Sequence, residues 1–170
     1  MQDVGQVNNS LSDIQAITDI LHRYCRSMDR IDRPMGYSIW SDDSFADYGE
    51  IFRGSGPEFI DWACDHHSTL VSTSHQICNP IIKLMGQRAA SESYVTAGLL
   101  GQADGGYVLS TARARYLDEW ICQDGRWGIK RRRFMLDFVY THGVDQLVIG
   151  PDSRNRSDPS YDLLGDIFEA

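Results

Sequence analysis

From Val71 onward the chain alternates apolar and polar residues with a period of two, and it keeps that period for most of its remaining length. Glycine-bearing turn signals cut the run at Met85-Gly86-Gln87, Asp104-Gly105-Gly106 and Gln123-Asp124-Gly125. A period of two is the mark of a half-buried strand, and short glycine turns join such strands into hairpins. The pattern predicts an antiparallel meander with strands at about Ser72–Leu84, Ala89–Leu100, Tyr107–Cys122 and Trp127–Tyr140. Strands of this length twist and curl strongly. The apolar inside of the curl must then be covered by something else in the chain.

The N-terminal third supplies the cover. Ser12 with Gln15 forms a capping box, and Leu11 precedes it as a hydrophobic staple. Ile14, Ile17, Leu21, Tyr24 and Met28 then recur at steps of three and four, one apolar stripe down a helix that ends at Asp29. A carboxylate at a helix C-terminus opposes the helix dipole, so its placement invites a reason. Asp32-Arg33-Pro34 breaks the helix, and a short helical turn through Tyr37, Ile39 and Trp40 comes next. Ser44–Tyr48 reads as a strand with Gly49–Arg53 as its hairpin partner, and Pro57 opens a third helix carried by Phe59, Ile60, Ala63 and Leu70. Helices first and a meander after give an α+β class, with N-terminal helices packed on a strongly curved, mostly antiparallel sheet that encloses an apolar cavity. The expected limits are a frayed segment over 1–10, the domain over 11–148 and an extension over 149–170, in which Leu163, Leu164, Ile167 and Phe168 are placed to dock on a neighbour.

At 170 residues the chain suits one domain. Its net charge of −8 argues against nucleic acid or an anionic membrane as partner. The one basic cluster, Lys130–Arg133, falls within a strand. There is neither a secretory leader pattern nor an apolar run of spanning length, and Cys25, Cys64, Cys78 and Cys122 are scattered without a C-x-x-C pair. The expectation is a cytoplasmic protein with reduced, buried thiols. No dinucleotide, P-loop or H-E-x-x-H motif occurs. His66 and His67 are adjacent on a helix, about 100° apart, and cannot chelate one ion together; they read as solvated or capping. No metal and no cofactor are expected.

The chemistry centres on Thr73–Asn79. His75 shares a strand face with Thr73, Ile77 and Asn79. It is either a hydrogen-bonded core residue or a proton-handling group that faces the cavity. In the second reading a carboxylate on its other nitrogen would fix the tautomer and steady the imidazolium. Asp29 is the candidate.

Several segments carry a family resemblance: Arg23–Asp32, Phe45–Gly49, Ser74–Asn79, Arg115–Trp120 and Gly125–Arg132. Over about residues 12–142 the chain resembles the SnoaL-like branch of the NTF2-like superfamily. That branch includes scytalone dehydratase, the lindane dehydrochlorinase and the bile-acid 7α-dehydratase. The resemblance implies a cone fold and a His–Asp dyad that abstracts a proton without metal or organic cofactor, with His75 and Asp29 at the matching positions. It places Tyr48, nineteen residues past Asp29, where a tyrosine polarises a substrate carbonyl, or else where a ring packs at the cone mouth. It places Arg132 where an arginine attends the leaving group. Trp127 and Ile129 have the opposite parity to Arg132, so both sets face inward only if a bulge intervenes; otherwise Arg132 is a surface charge or pairs with Glu119. Tyr24 stands where the dehydrochlorinase has a lysine, and is either a cavity wall or core. Near Leu100 the dehydratase's second histidine is missing.

The implied function is a cofactor-independent lyase, dehydratase-like, acting on a small apolar cyclic or aromatic substrate, with isomerase or cyclase chemistry open to the same dyad. The alternative is a non-catalytic binding or assembly subunit, as in the small subunit of aromatic-ring dioxygenases. A homo-oligomer, dimer or trimer, is expected through Arg113–Trp120 or Leu163–Phe168.

Overall fold

The structure is a computed structural model and describes residues 4–150 and 154–165. Helix α1 spans Val4–Arg30. It begins well before the capping box expected at Ser12, which lies exposed inside the helix. No proline precedes it to interrupt the hydrogen-bond ladder, so the helix simply continues. Residues 4–10 of the segment expected to fray over 1–10 are helical, and residues 1–3 lie outside the described residues. Down the stripe Ile17, Leu21, Tyr24 and Met28 are buried. The helix closes with Ile31 in the left-handed region (φ 53) and the Asp32 N–H bonded to the Ser27 carbonyl at 2.9 Å. This is the usual glycine-type stop made with a β-branched residue, a conformation that costs energy and needs support from its surroundings.

Asp32 then caps α2 (Arg33–Ser38), accepting the Met35 N–H at 3.1 Å. Strand β1 (Trp40–Asp47) pairs with a two-residue β2 (Arg53–Gly54), as the hairpin reading expected but with a shorter return. Helix α3 (Gly56–Ser68) starts with a complete Ser55–Glu58 capping box and Pro57 in its first turn. A Cβ at Gly56 would lie 2.3 Å from Trp40 Cδ2, so only glycine lets α3 start against that indole.

The meander comes next as β3 (Ser72–Met85), β4 (Arg88–Ala103), β5 (Gly106–Gln123) and β6 (Arg126–Val144). Gly86, Gly105 and Gly125 turn it, each at positive φ. The sheet order is β2-β1-β6-β5-β4-β3, antiparallel except where β1 runs beside β6. It curls without closing, and α1 and α3 cover its inner face. The result is an α+β cone.

Register, more than pattern, decides what faces the inside. Glu119 pairs with Arg131 but Trp120 with Ile129, so Lys130 is the extra residue of a bulge. The bulge resets the alternation, and Trp127, Ile129 and Arg132 are all buried. A second bulge leaves Asp137 unpaired between Leu136 and Phe138. Phe138, expected on the inner face with Leu136, is thereby turned to the other side, where it stacks with Tyr140.

Two of the buried indoles are satisfied at their polar ends, whereas Trp40 Nε1 is buried without a partner. Trp120 Nε1 donates to Ser91 Oγ and Trp127 Nε1 to Asp13 Oδ1, both at 2.8 Å. Burial of each large apolar side chain of this core contributes about 2 kcal/mol. Of the cysteines Cys64 is buried, but Cys78 is exposed, because its face of edge strand β3 looks outward. A short helix α4 (Pro159–Leu164) folds back on the end of α1 through Arg30–Asp158 at 3.1 Å and Tyr161 on Asp32 at 2.5 Å. Leu163 and Leu164 are exposed; Ile167 and Phe168 lie outside the described residues. Among the described residues no helix is long and apolar enough to cross a membrane.

Candidate active site

β3 is the free edge of the sheet on the side of α1, so a backbone N–H on its outer side has no strand to pair with. Asp29 fills that gap. Its Oδ2 accepts the His75 backbone N–H at 2.8 Å, and its Oδ1 lies 2.7 Å from His75 Nδ1. Two donors on one carboxylate offset the unfavourable helix end and give the misplaced charge its reason. With Nδ1 against the carboxylate, Nδ1 carries the proton and Nε2 keeps a lone pair. The two side chains are only 5% and 16% exposed.

His75 lines a cavity of about 270 Å³ between the helices and the sheet, near the small end of the range for small-molecule pockets. Met28 and Tyr24 from α1, Phe59 and Ala63 from α3, Val95 and Leu99 from β4, and Phe134 from β6 make its walls. Ile51, Leu136 and Val139 also line it and are about half exposed, which marks the mouth.

Opposite His75 the cavity is backed by phenols. Tyr24 and Tyr48 share a hydrogen bond at 3.1 Å, and Tyr116 donates to Tyr24 at 3.3 Å. Tyr48 stacks between Phe59 (4.2 Å) and Phe134 (5.1 Å). Burial holds all three phenols well above the ordinary tyrosine range and their mutual repulsion adds to this, while the charge of Arg132 opposes it.

Arg132 does not line the cavity. Its guanidinium lies fully buried behind the tyrosines, 4.4 Å from the Tyr24 ring centre and 4.1 Å from that of Tyr116. It makes a two-pronged pair with Asp118, both contacts at 2.8 Å. The expected alternatives, a leaving-group contact, a surface charge or a pair with Glu119, all give way to this one. Asp118 lies directly across the strands from Arg132 and on the inner face, whereas Glu119 points out.

His67 departs from expectation too. Rather than solvated, it is 7% exposed and lines the cavity, its ring centre 5.4 Å from that of His75. Desolvation lowers its pKa to about 4, and the neighbouring His75 adds to the effect. The signal was present in the helical period, since His67 is one turn beyond Ala63 on the stripe of Phe59 and Ile60. His66 is exposed, at the rim, stacked on Trp62. Tyr116 was also missed, although it shares strand parity with buried Ala114 and Trp120. Among the described residues no three His, Cys, Asp or Glu side chains gather in a metal-binding group.

The fold has relatives. The chain matches the model of the SnoaL-like domain over residues 9–133. No curated protein matches it significantly in sequence. Among solved structures it is similar to a candidate scytalone dehydratase from Novosphingobium aromaticivorans (19% identity, TM-score 0.70, covering 85% of this chain and 94% of that one). It is equally similar to the hexachlorocyclohexane dehydrochlorinase LinA-type3 from Novosphingobium barchaimii (19%, TM-score 0.69, covering 84% and 97%). An aspartate-to-asparagine variant of Rv3472, a Mycobacterium tuberculosis protein of unknown function, is 25% identical at a TM-score of 0.65 and covers 77% and 75%. The domain match spans well over half of the sequence, and the chain belongs to the SnoaL-like family of the NTF2-like superfamily.

Proposed function

We propose that the protein is a cofactor-independent lyase that eliminates a small group from an apolar cyclic or aromatic molecule. One observation carries this reading: the Asp29–His75 pair has its outer imidazole nitrogen uncommitted beside an apolar cavity. His75 Nε2 takes the proton α to a carbonyl, and the C–H electron pair moves into the ring as an enolate. Asp29 stabilises the imidazolium through Nδ1–H. Tyr48, accepting from the Tyr24 hydroxyl, donates its own hydrogen to the enolate oxygen in a dry pocket where such bonds are strong. Arg132, one layer back, steadies charge on those phenols without touching substrate. The enolate pair then forms the C=C bond while the β-substituent leaves, hydroxide taking the proton back from His75 to depart as water.

The similarity to a dehydratase and a dehydrochlorinase supports elimination over other uses of the same dyad. An open cavity of about 270 Å³ beside His75 supports an enzyme over an assembly subunit. The protein also assembles as a homo-oligomer in this proposal, and Phe138 and Tyr140, 55% and 50% exposed on the outer side of β6, are the surface we assign to it. The test is a screen of hydroxylated and halogenated cyclic and aromatic ketones against the wild type and His75→Ala. Turnover that survives the substitution would sink the base assignment.

A further inference from the structure

The end of α1 is strained, and its neighbours must hold it. Ile31 stops the helix in the left-handed region at φ 53, a cost that only the surroundings of a β-branched residue can offset. The Asp32 N–H meets the Ser27 carbonyl. The next carbonyl, that of Met28, lies in the last turn, where no helical N–H follows to satisfy it. The His67 ring bonds the Met28 backbone. Since the Met28 N–H is spent inside the helix, the ring donates and the carbonyl accepts. Met28 is followed directly by Asp29, whose carboxylate holds both the backbone N–H and the ring of His75. The His67 ring also lies against the His75 ring, 5.4 Å between centres and tilted by 40°, while Tyr24 meets His75 edge-on at 6.3 Å. His67 is itself anchored, because its own carbonyl accepts from Arg154 Nη2 at 2.9 Å and from the Leu70 N–H at 3.0 Å. One side chain of α3 thus meets α1 at the residue before the acid and β3 at the base.

We propose that His67 is a positioning residue for the dyad: by bonding the end of α1 and bracing the His75 ring, it fixes the Asp29–His75 contact and the direction in which His75 Nε2 faces. It acts through those two neighbours and needs no contact with substrate. Histidine suits the place because it lies flat along another ring and still carries an N–H. Leucine or phenylalanine would fill the space and leave the carbonyl of fully buried Met28 without that donor. Burial keeps the His67 ring neutral at ordinary pH, so it brings no second charge beside the imidazolium that His75 becomes in the proposed reaction. The kinetic consequence rests on the lyase reading. The structural one, a single orientation and tautomer of His75, does not.

The test is nitrogen–proton NMR of the full chain with nitrogen-labelled histidine, with His75→Gln used to assign the His75 signals. In wild type, His75 should show one tautomer, protonated at Nδ1, and His67 should show one slowly exchanging ring N–H. His67→Leu should mix the His75 tautomers. It should also lower kcat for elimination about tenfold with KM changed by less than about twofold, the mark of a displaced base rather than a lost substrate contact. His67→Gln, whose amide N–H reaches the same carbonyl, should restore both. Where the Leu variant does not melt cooperatively, His67→Phe carries the same arm. A wild type without the slowly exchanging His67 N–H overturns the proposal. So does a single His75 tautomer that survives in His67→Leu or His67→Phe, one that His67→Gln fails to restore, or a kinetic loss carried by KM alone. The expected NMR pattern without any wild-type elimination upholds His67 and refutes the lyase.

Discussion

The cavity is flanked by two buried acid–base clusters that share ingredients but not accessibility. On the α1–β3 side, Asp29 bonds His75, and the outer nitrogen of the pair stays free beside the cavity. On the β5–β6 side, Asp118 bonds Arg132 with both its oxygens, and both side chains are fully buried behind a layer of tyrosine rings. The first pair borders space, and in the proposed function it exchanges a proton with a ligand. The second has its charge neutralised and its faces covered, so it shapes the field felt by Tyr24, Tyr48 and Tyr116. Placement relative to empty space, more than residue type, separates a reactive pair from a supporting one.

Breaking each side should therefore fail differently. His75→Ala should reduce elimination by about 10³-fold or more with an unchanged fold, read by steady-state kinetics beside circular dichroism. Asp118→Ala should instead act on stability. It strands a buried guanidinium and should cost roughly 3 kcal/mol or more in denaturant unfolding, whereas the paired change Asp118→Leu with Arg132→Met should recover most of that. If both aspartate clusters answered alike, accessibility would not be what separates them.

His67 sharpens the contrast through pH. Its folded pKa, about 4, is below the ordinary 6.5. Between those values the unfolded chain binds the extra proton, so stability rises with pH across that window and is lost as pH falls from 6.5 toward 4. The groups that bear on this ring are His75, the Met28 backbone, His66 and Asp29. The span is worth roughly 3 kcal/mol, and His67→Gln should flatten that part of an acid-denaturation curve. On the phenol side, Tyr48→Phe should lower kcat/KM by about tenfold with little change in melting temperature, since its ring stacking on Phe59 and Phe134 is kept. The smallest expected stability effect lies on the outer surface. Phe138→Ser with Tyr140→Ser should change stability by under about 1 kcal/mol yet reduce the particle size in gel filtration.

Local periodicity made much of this protein legible. The strand repeat broken at Gly86, Gly105 and Gly125 defined the meander to within a few residues, because side-chain alternation and positive-φ turns are properties of neighbouring residues. The stripe ending at Met28, and the oddity of Asp29, pointed to one half of the site for the same reason. His67 was equally legible at helical spacing after Ala63, and was missed because its adjacency to His66 points first to chelation. What no stretch of sequence could decide was parity beyond a bulge. Lys130 and Asp137 each insert one residue, so Arg132 turns inward and Phe138 outward, and Arg132 meets Asp118 in place of Glu119. A bulge depends on how one strand's length fits its partner's, a relation between segments. Likewise the sequence by itself determined a carboxylate at the end of α1 and a histidine in β3, but only the packing of that helix against an unpaired sheet edge brought them to 2.7 Å and left a cavity beside them.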